Sequence, residues 1–396
     1  MSRLPVLVQK FGGTSVSTPD RRQQVADHVR QALASGYQVA VVISALGRKG
    51  DPYATDTLLD LLRGDAGPVD PRDYDLMFTC GEAISVALMS HVLKRAGIPA
   101  VGLTSAQARI FTDGRPVESD IVRIDTSRLR ALLAAGQVPV ITGGQGVVPD
   151  TLDYTTLGRG GSDTSGVAVG AALGAERVDI FTDVSGIAVV DPRLVPGARV
   201  LGRVSYGAMF ELARFGARVV HPRAILTGWQ THTPLAVRST FTAGPGTIVG
   251  EVEDEAPIVG VAILPPMETV TLLPGSVQGA TRDEWERRHL IMSVTDGSSG
   301  VVFAGAAADK AADLRRLEET HALSPEKRVG LACWLSLVGE AGALREQHPR
   351  LATRLAQSAI SVYGCEVGER RCTWVLPEAA RTRAVALVHE SIWPSP

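Results

Sequence analysis

Short apolar runs, each leading into a turn and then a helical stretch, recur through the first 250 residues, and this alternation restricts the possible folds more than any other feature. Residues 4–9, 38–44, 99–104, 138–142 and 178–182 read as buried strands. One intervening helix opens near Ser17-Thr18-Pro19, with proline at its first position, and stops at Gly36. Others end at Gly97, run over 127–135 to stop at Gly136, or begin after Gly161. Strands that are apolar throughout are buried on both faces, which requires helices on either side. The pattern therefore predicts an α/β unit with a largely parallel central sheet between helices.

The pattern changes after Gly244-Pro245-Gly246-Thr247, where the acidic stretch 251–257 reads as an exposed connector. A chain of 396 residues exceeds what one core usually organises. The expected division is residues 1–248 and 249–396. Beyond the boundary, strands are expected at 258–263, 269–273, 290–294 and 300–303, with a helix at 307–318. A similar alternation recurs from 328, closing with a strand at 371–376 and a helix at 379–390. Two small β-α-β modules in tandem are the natural reading.

Hydrophobic residues at 45% and charged residues at 21% describe a folded globular enzyme rather than a disordered chain. Forty basic against 42 acidic residues leave a net charge of -2 and no long basic run, which argues against a nucleic-acid partner. No uninterrupted apolar run approaches the roughly 20 residues of a bilayer span, so no membrane association is expected. The first residues lack the apolar core of a secretory signal. Cys80, Cys333, Cys365 and Cys372 show no C-x-x-C spacing. A reducing cytoplasm is the expected compartment.

Three segments carry chemistry. Lys10-Phe11-Gly12-Gly13-Thr14-Ser15 follows the first strand, and its paired glycines let backbone N–H groups and the Lys10 ammonium approach an anion together. A plain strand-to-helix turn has the same composition, and the string matches neither a Walker A loop nor a dinucleotide fingerprint. Leu157-Gly158-Arg159-Gly160-Gly161-Ser162-Asp163-Thr164-Ser165 opens a helix and sets its N-terminus beside a carboxylate and a guanidinium. Ser162 or Asp163 acting as an N-cap is the simpler alternative. Phe181-Thr182-Asp183-Val184-Ser185-Gly186 ends a strand where ligands of open α/β sheets bind, or forms an ordinary turn.

Together these segments resemble the aspartate kinases, within the amino acid kinase fold. The resemblance runs from Leu7 to about Thr247. It includes Val42-Ile43-Ser44-Ala45, Cys80-Gly81-Glu82, the glycine-rich segment around Arg159, and Asp191-Pro192-Arg193. The insertion Gly47-Arg48-Lys49-Gly50-Asp51-Pro52-Tyr53-Ala54-Thr55-Asp56 is similar to a bacterial subgroup serving diaminopimelate and lysine synthesis. The resemblance implies transfer of the γ-phosphate of ATP to the β-carboxylate of L-aspartate, with Mg2+ bridging phosphate oxygens. It implies that Lys10, Gly12, Gly13 and Thr14 hold phosphates, with Lys10 and Asp163 in the catalytic set. Thr182, Asp183, Arg193, Arg218 and Val219 would contact the nucleotide. Ser44, Thr55, Glu82, Arg159 and Ser162 would form the aspartate pocket, with Arg159 on the α-carboxylate and with Glu82 and Asp163 facing the α-amino group or organising the site around it.

Some positions depart from the family. Gly216-Ala217-Arg218-Val219 has arginine where the family carries a nucleotide-contacting lysine, so charge survives and point-charge geometry does not. Gly143-Gly144-Gln145-Gly146 stands for the usual Gly-Phe-Gln-Gly, and Ile187-Ala188-Val189 supplies no aromatic. The region after 249 resembles paired ACT modules faintly, with Leu264-Pro265-Pro266-Met267-Glu268 where a glycine-rich effector loop is expected. Those modules imply a homo-oligomer. Other readings are a kinase for an aspartate analogue in a specialised pathway, a related carboxylate, carbamate or nucleotide kinase, and a catalytically silent amino acid sensor subunit.

Overall fold

The computed structural model describes residues 4–64, 67–272, 290–293, 299–302 and 323–394. Two compact units are present: Met1–Ile187 with Val200–Phe210 and Arg218–Glu253, and Ala188–Arg199 with Glu211–Ala217 and Asp254–Pro396.

The first unit contains, in chain order, β1 (Val6–Phe11), α1 (Pro19–Ala34), β2 (Gln38–Ile43), α2 (Thr55–Gly64), α3 (Pro71–Arg95), β3 (Ala100–Leu103), α4 (Ser105–Ala108), β4 (Ile110–Thr112), β5 (Ile121–Ile124) and α5 (Ser127–Ala134). It continues with β6 (Val138–Thr142), β7 (Gln145–Val147), β8 (Tyr154–Thr156), α6 (Gly161–Leu173), β9 (Arg177–Thr182), β10 (Arg203–Ser205), α7 (Tyr206–Arg214, its last turn assigned to the second unit), α8 (Pro222–Gln230), β11 (Leu235–Ser239) and β12 (Thr247–Gly250). The main sheet has eight strands in the order β10-β12-β11-β9-β1-β2-β6-β3. Every neighbouring pair is parallel except β11 and β12. This is the α/β architecture read from the alternation. A second sheet of short strands, β5-β4-β7-β8, was not legible there, because strands of three or four residues carry too little periodicity.

Helix ends follow local chemistry. Thr18 caps α1, accepting from the Arg21 amide, with Pro19 in the first turn; Asp70 and Pro71 do the same for α3. Gly36, Gly97 and Gly136 follow α1, α3 and α5 with φ of 87°, 78° and 69°, the left-handed conformation that releases a chain from a helix.

The strands are two-faced. Leu7 and Phe11 pack with Val25 and Val29 of α1 and Met89 and Leu93 of α3 in one buried cluster. Phe11 stacks on Phe181 with ring centroids 4.6 Å apart, a contact worth on the order of 1 kcal/mol beyond its burial. Pleat alternation turns Lys10 to the opposite face, against α6. There Gly166 lies so close that a Cβ on it would sit 3.1 Å from the Lys10 Cβ. β1 starts and ends two residues later than the apolar pattern predicts, so Lys10 belongs to the strand body rather than to the turn.

Over 25 residues α3 is long and apolar enough to cross a bilayer by length and composition, though Asp75 and Glu82 interrupt its apolar run. It packs against β3, β6 and β8, and its buried face carries Asp75, Glu82 and Ser85. Those groups mark a core helix holding polar partners.

The second unit is α+β. Its elements are β13 (Ile258–Ile263), β14 (Met267–Leu272), β15 (Leu290–Ser293), β16 (Ser299–Val302), β17 (Leu323–Gly339), α9 (Ala341–Gln357), β18 (Gly364–Val367), β19 (Arg371–Pro377) and α10 (Arg381–Ile392). The strands form one antiparallel seven-stranded sheet in which the 17-residue β17 pairs with β13, β14 and β19. The two modules expected in tandem thus share a sheet. Trp334 and Trp374 are buried in it, and α9 and α10 pack on β17. The expected helix at 307–318 lies outside the described residues.

Candidate active site

Four parallel strands end level with one another. Phe181, Phe11, Ile43 and Thr142 are in register across β9, β1, β2 and β6. The residues that follow bond in sequence. The Gly12 amide donates to the Phe181 carbonyl at 3.4 Å, the Ser44 amide to Phe11 at 3.2 Å, and the Gly143 amide to Ile43 at 2.8 Å. Thr182, Gly12, Ser44 and Gly143 therefore leave the sheet side by side at its carboxyl end, where open α/β sheets bind ligands. Gly13 has no room for a side chain, since a Cβ would stand 2.4 Å from the Ala45 carbonyl oxygen.

On this row, Lys10 Nζ lies 2.6 Å from Asp163 Oδ1, both side chains nearly enclosed. The contact is an ion pair whose geometry at Oδ1 falls outside that of a hydrogen bond. Asp163 Oδ2 accepts from the His221 amide at 3.3 Å. Neither Ser162 nor Asp163 caps α6: its N-cap is Gly160, with φ 68° and no side-chain hydrogen bond. The helix N-terminus carries its dipole without a capping side chain, which suits an anion. The His221 ring occupies the space a Cβ on Gly160 would need, and its Nδ1 accepts from the Arg223 amide at 3.3 Å. Burial pushes the imidazole pKa down, against the opposing pull of Asp163.

Beside this pair, Ser44 Oγ donates to Ser162 Oγ at 2.9 Å, joining the β2 loop to the first turn of α6. Glu82 Oε1 accepts from the Ala45 amide at 3.3 Å, while Oε2 is buried and meets no donor in hydrogen-bond geometry. Burial pushes the Glu82 carboxyl up to about 8; the Ala45 amide and the Thr55 hydroxyl only partly offset it. Arg159 is exposed on the turn between β8 and α6, close enough to the half-buried Tyr74 to act on it electrostatically. That turn is anchored through Asp75 of α3, whose carboxylate accepts from Thr156 Oγ1 at 2.6 Å and from the Val117 amide at 2.9 Å.

Thr14 and Asp183 line a cleft of about 290 Å³ together with Arg21, Arg48 and Phe241. Thr182 Oγ1 donates to Asp183 Oδ1 at 3.2 Å. Arg218 is exposed, and Val219 partly buried, in the turn before α8. Arg193 lies in the second unit, where it forms a two-pronged pair with Asp191. The structure thus gathers Lys10, Asp163, Ser44, Ser162, Thr55 and Glu82 around the strand ends of the first unit, with Thr14, Thr182 and Asp183 at the neighbouring cleft.

Sequence reasoning missed Asp75, His221 and Arg48. His221-Pro222 carries a readable signal, a capping residue followed by proline at the first helical position. Asp75 and Arg48 carry none, because their partners lie 81 and 135 residues away.

A parallel sheet with glycine turns at its carboxyl ends, a buried lysine–carboxylate pair and an uncapped helix N-terminus define a class: enzymes that hold an anionic, phosphate-bearing ligand and transfer from it. The model of the amino acid kinase family matches residues 5–237. An aspartokinase of Mycolicibacterium smegmatis is 34% identical over 98% of this chain and 96% of its own length. The chain belongs to the aspartokinases of the amino acid kinase family. Aspartokinase 1 of Bacillus subtilis (strain 168) is 45% identical over 246 residues, a match spanning 62% of this chain and 61% of that protein. The E. coli aspartokinase III solved in complex with aspartate and ADP shares the fold, with a TM-score of 0.78, 22% identity, and coverage of 98% of this chain and all of that one.

Proposed function

We propose that the protein is an aspartate kinase. It transfers the γ-phosphoryl group of ATP to the β-carboxylate of L-aspartate, giving 4-phospho-L-aspartate and ADP. The observation that carries this reading is the Lys10–Asp163 pair at the row of strand ends, in a chain that aligns with an aspartokinase along nearly its whole length.

The acceptor carboxylate is ionised at neutral pH, so the reaction needs no general base. One of its oxygens forms the new bond to phosphorus as the bond to the β–γ bridging oxygen breaks, and ADP departs with that electron pair. Catalysis then rests on alignment and charge neutralisation. In this reading Lys10 and the Gly12, Gly13 and Thr14 turn neutralise the phosphates, while Asp163 orients the lysine. Arg159 takes the α-carboxylate in a planar fork. Glu82, with its unpaired buried oxygen, takes the α-amino group, and Ser44, Thr55 and Ser162 close the pocket. Thr182, Asp183, Arg218 and Val219 serve the nucleotide. Among the described residues no three His, Cys, Asp or Glu side chains gather as a metal cage. Mg2+ would enter with the nucleotide and supply charge neutralisation on the transferring group.

The same reading assigns the chemistry to residues 1–248. Residues 249–396 become ACT-like modules through which copies of the chain assemble, in a cytoplasmic enzyme of the diaminopimelate and lysine branch. The test is a substrate panel with Mg-ATP in which hydroxylamine traps the acyl phosphate. Aspartyl hydroxamate is the expected product; product from glutamate or N-acetylglutamate alone would overturn the assignment.

A further inference from the structure

The Arg48 guanidinium, on the loop after β2, pairs with Asp183 after β9 at 2.7 Å. The loop is built to place it. The Gly47 amide donates to the Gly13 carbonyl at 3.0 Å, so the loop lies directly against the glycine turn. Asp51 then closes the loop on itself: its carboxylate accepts from the Arg48 amide at 2.8 Å, and its own amide donates to the Arg48 carbonyl at 2.9 Å. Gly47 and Gly50, with φ of 77° and 101°, hold the left-handed conformations that this turn needs.

Two arginines line the cleft, and they are differently engaged. Arg21 is committed: it donates to the Thr14 carbonyl and Ser17 Oγ, and its guanidinium lies over the Phe241 ring at 4.8 Å. Among the described residues Arg48 pairs with Asp183, and both side chains are exposed, at 69% and 46%. An ion pair so open to solvent is weak and readily exchanged. Thr14 and Asp183, which the proposed function gives to the nucleotide, line the same cleft.

We propose that Arg48 is a catalytic residue that exchanges Asp183 for the transferring phosphoryl group. When the nucleotide engages Thr182 and Asp183, the carboxylate is drawn away and the guanidinium turns to the γ-phosphate, opposite in role to the fixed, buried Lys10. A planar donor fork matches phosphate oxygens in two places. The charge spread over those oxygens in the transition state is what such an arginine stabilises. The assignment rests on the kinase reading.

The test compares wild type, Arg48→Ala and Arg48→Lys by calorimetric titration with Mg-ADP and with the Mg complex of β,γ-imido-ATP, alongside steady-state turnover with aspartate. Arg48→Ala is expected to lower kcat by on the order of 100-fold or more. It should also weaken the imido analogue about tenfold while leaving ADP affinity nearly unchanged, because ADP lacks the group contacted. Arg48→Lys should recover part of the binding and little of the turnover. The same losses should persist in an Asp183→Asn background, where no ion pair remains to be broken. Equal weakening of both nucleotides, unchanged kcat, or no effect of Arg48→Ala in that background would overturn the assignment and leave Arg48 a tether for Asp183. Wild-type protein that bound neither nucleotide would overturn the kinase reading, and this assignment with it.

Discussion

Lys10 Nζ and Asp163 Oδ1 are 2.6 Å apart, although they stand 153 positions apart in the chain, and both side chains are nearly enclosed. Removing one partner of such a pair strands the other, a cost of roughly 3 kcal/mol. Lys10→Ala should therefore lower both melting temperature and turnover, the latter by on the order of 100-fold or more. The double variant Lys10→Met with Asp163→Asn should recover most of the stability and none of the activity. Recovery of activity along with stability would remove Lys10 from the chemistry.

Glu82 gives a pH dependence. Its folded pKa of about 8 lies above the ordinary 4.5, so the folded protein keeps a proton that the unfolded chain has lost between those values. Its contribution to stability therefore declines as pH rises through that window. Pairing with the substrate ammonium needs the charged form. The KM for aspartate should fall as pH rises from 6 to 8, approaching about tenfold per unit where Glu82 is mostly protonated. Glu82→Gln should give a higher KM that no longer varies over this range, whereas a profile unchanged from wild type would exclude Glu82 from substrate binding.

Arg159 is exposed on its turn, so replacing it leaves the core untouched. Arg159→Lys keeps the charge and loses the planar fork. The KM for aspartate should rise clearly more than that for ATP, with the melting temperature within a degree or two of wild type. Equal effects on both substrates would place Arg159 with the nucleotide.

Gly13→Ala would drive a Cβ to 2.4 Å from the Ala45 carbonyl oxygen and 2.7 Å from that of Gly47, both backbone atoms with no rotamer to yield. The 45–47 segment must move, and with it the Ala45 amide that holds Glu82. A destabilisation of about 1–3 kcal/mol is expected, with turnover reduced well beyond the loss of folded protein. Denaturant melts and active-site titration separate the two effects. By contrast, Gly36 has open space around its Cβ position, and Gly36→Ala should cost only its left-handed φ and leave kcat unchanged.

Feedback control should be weak. Where an effector loop would follow the first strand of the second unit, the chain reads Leu264-Pro265-Pro266-Met267. An effector inhibits only as far as it binds one conformation better than another, so lost contacts mean lost inhibition even in a folded module. Activity at subsaturating aspartate should stay within about twofold of the uninhibited rate with millimolar lysine, threonine, both, or diaminopimelate. Strong inhibition by any of them would reveal an effector site in another form.

The residues alone determined a good deal. Apolar runs, glycine stops and Pro19 specified β1, β2, β3, β6 and β9 and the helices α1, α5 and α6 because pleat, cap and turn chemistry act over a few neighbours. The glycines around Gly12 and Gly160 likewise pointed to either an anion site or a tight turn, since only their backbones tolerate such close approach. The tertiary structure decided what depends on distant neighbours. The face of β1 from which Lys10 points, and its meeting with Asp163, follow from α6 packing on that side, with Gly166 leaving room. Glu82 reads as an ordinary helical carboxylate until burial removes its water and raises its pKa. Arg48 meets Asp183, and β17 joins two expected modules into one sheet, through pairings that no local pattern encodes. Desolvation and long-range pairing belong to the assembled fold, and those two effects turn a legible set of residues into a site.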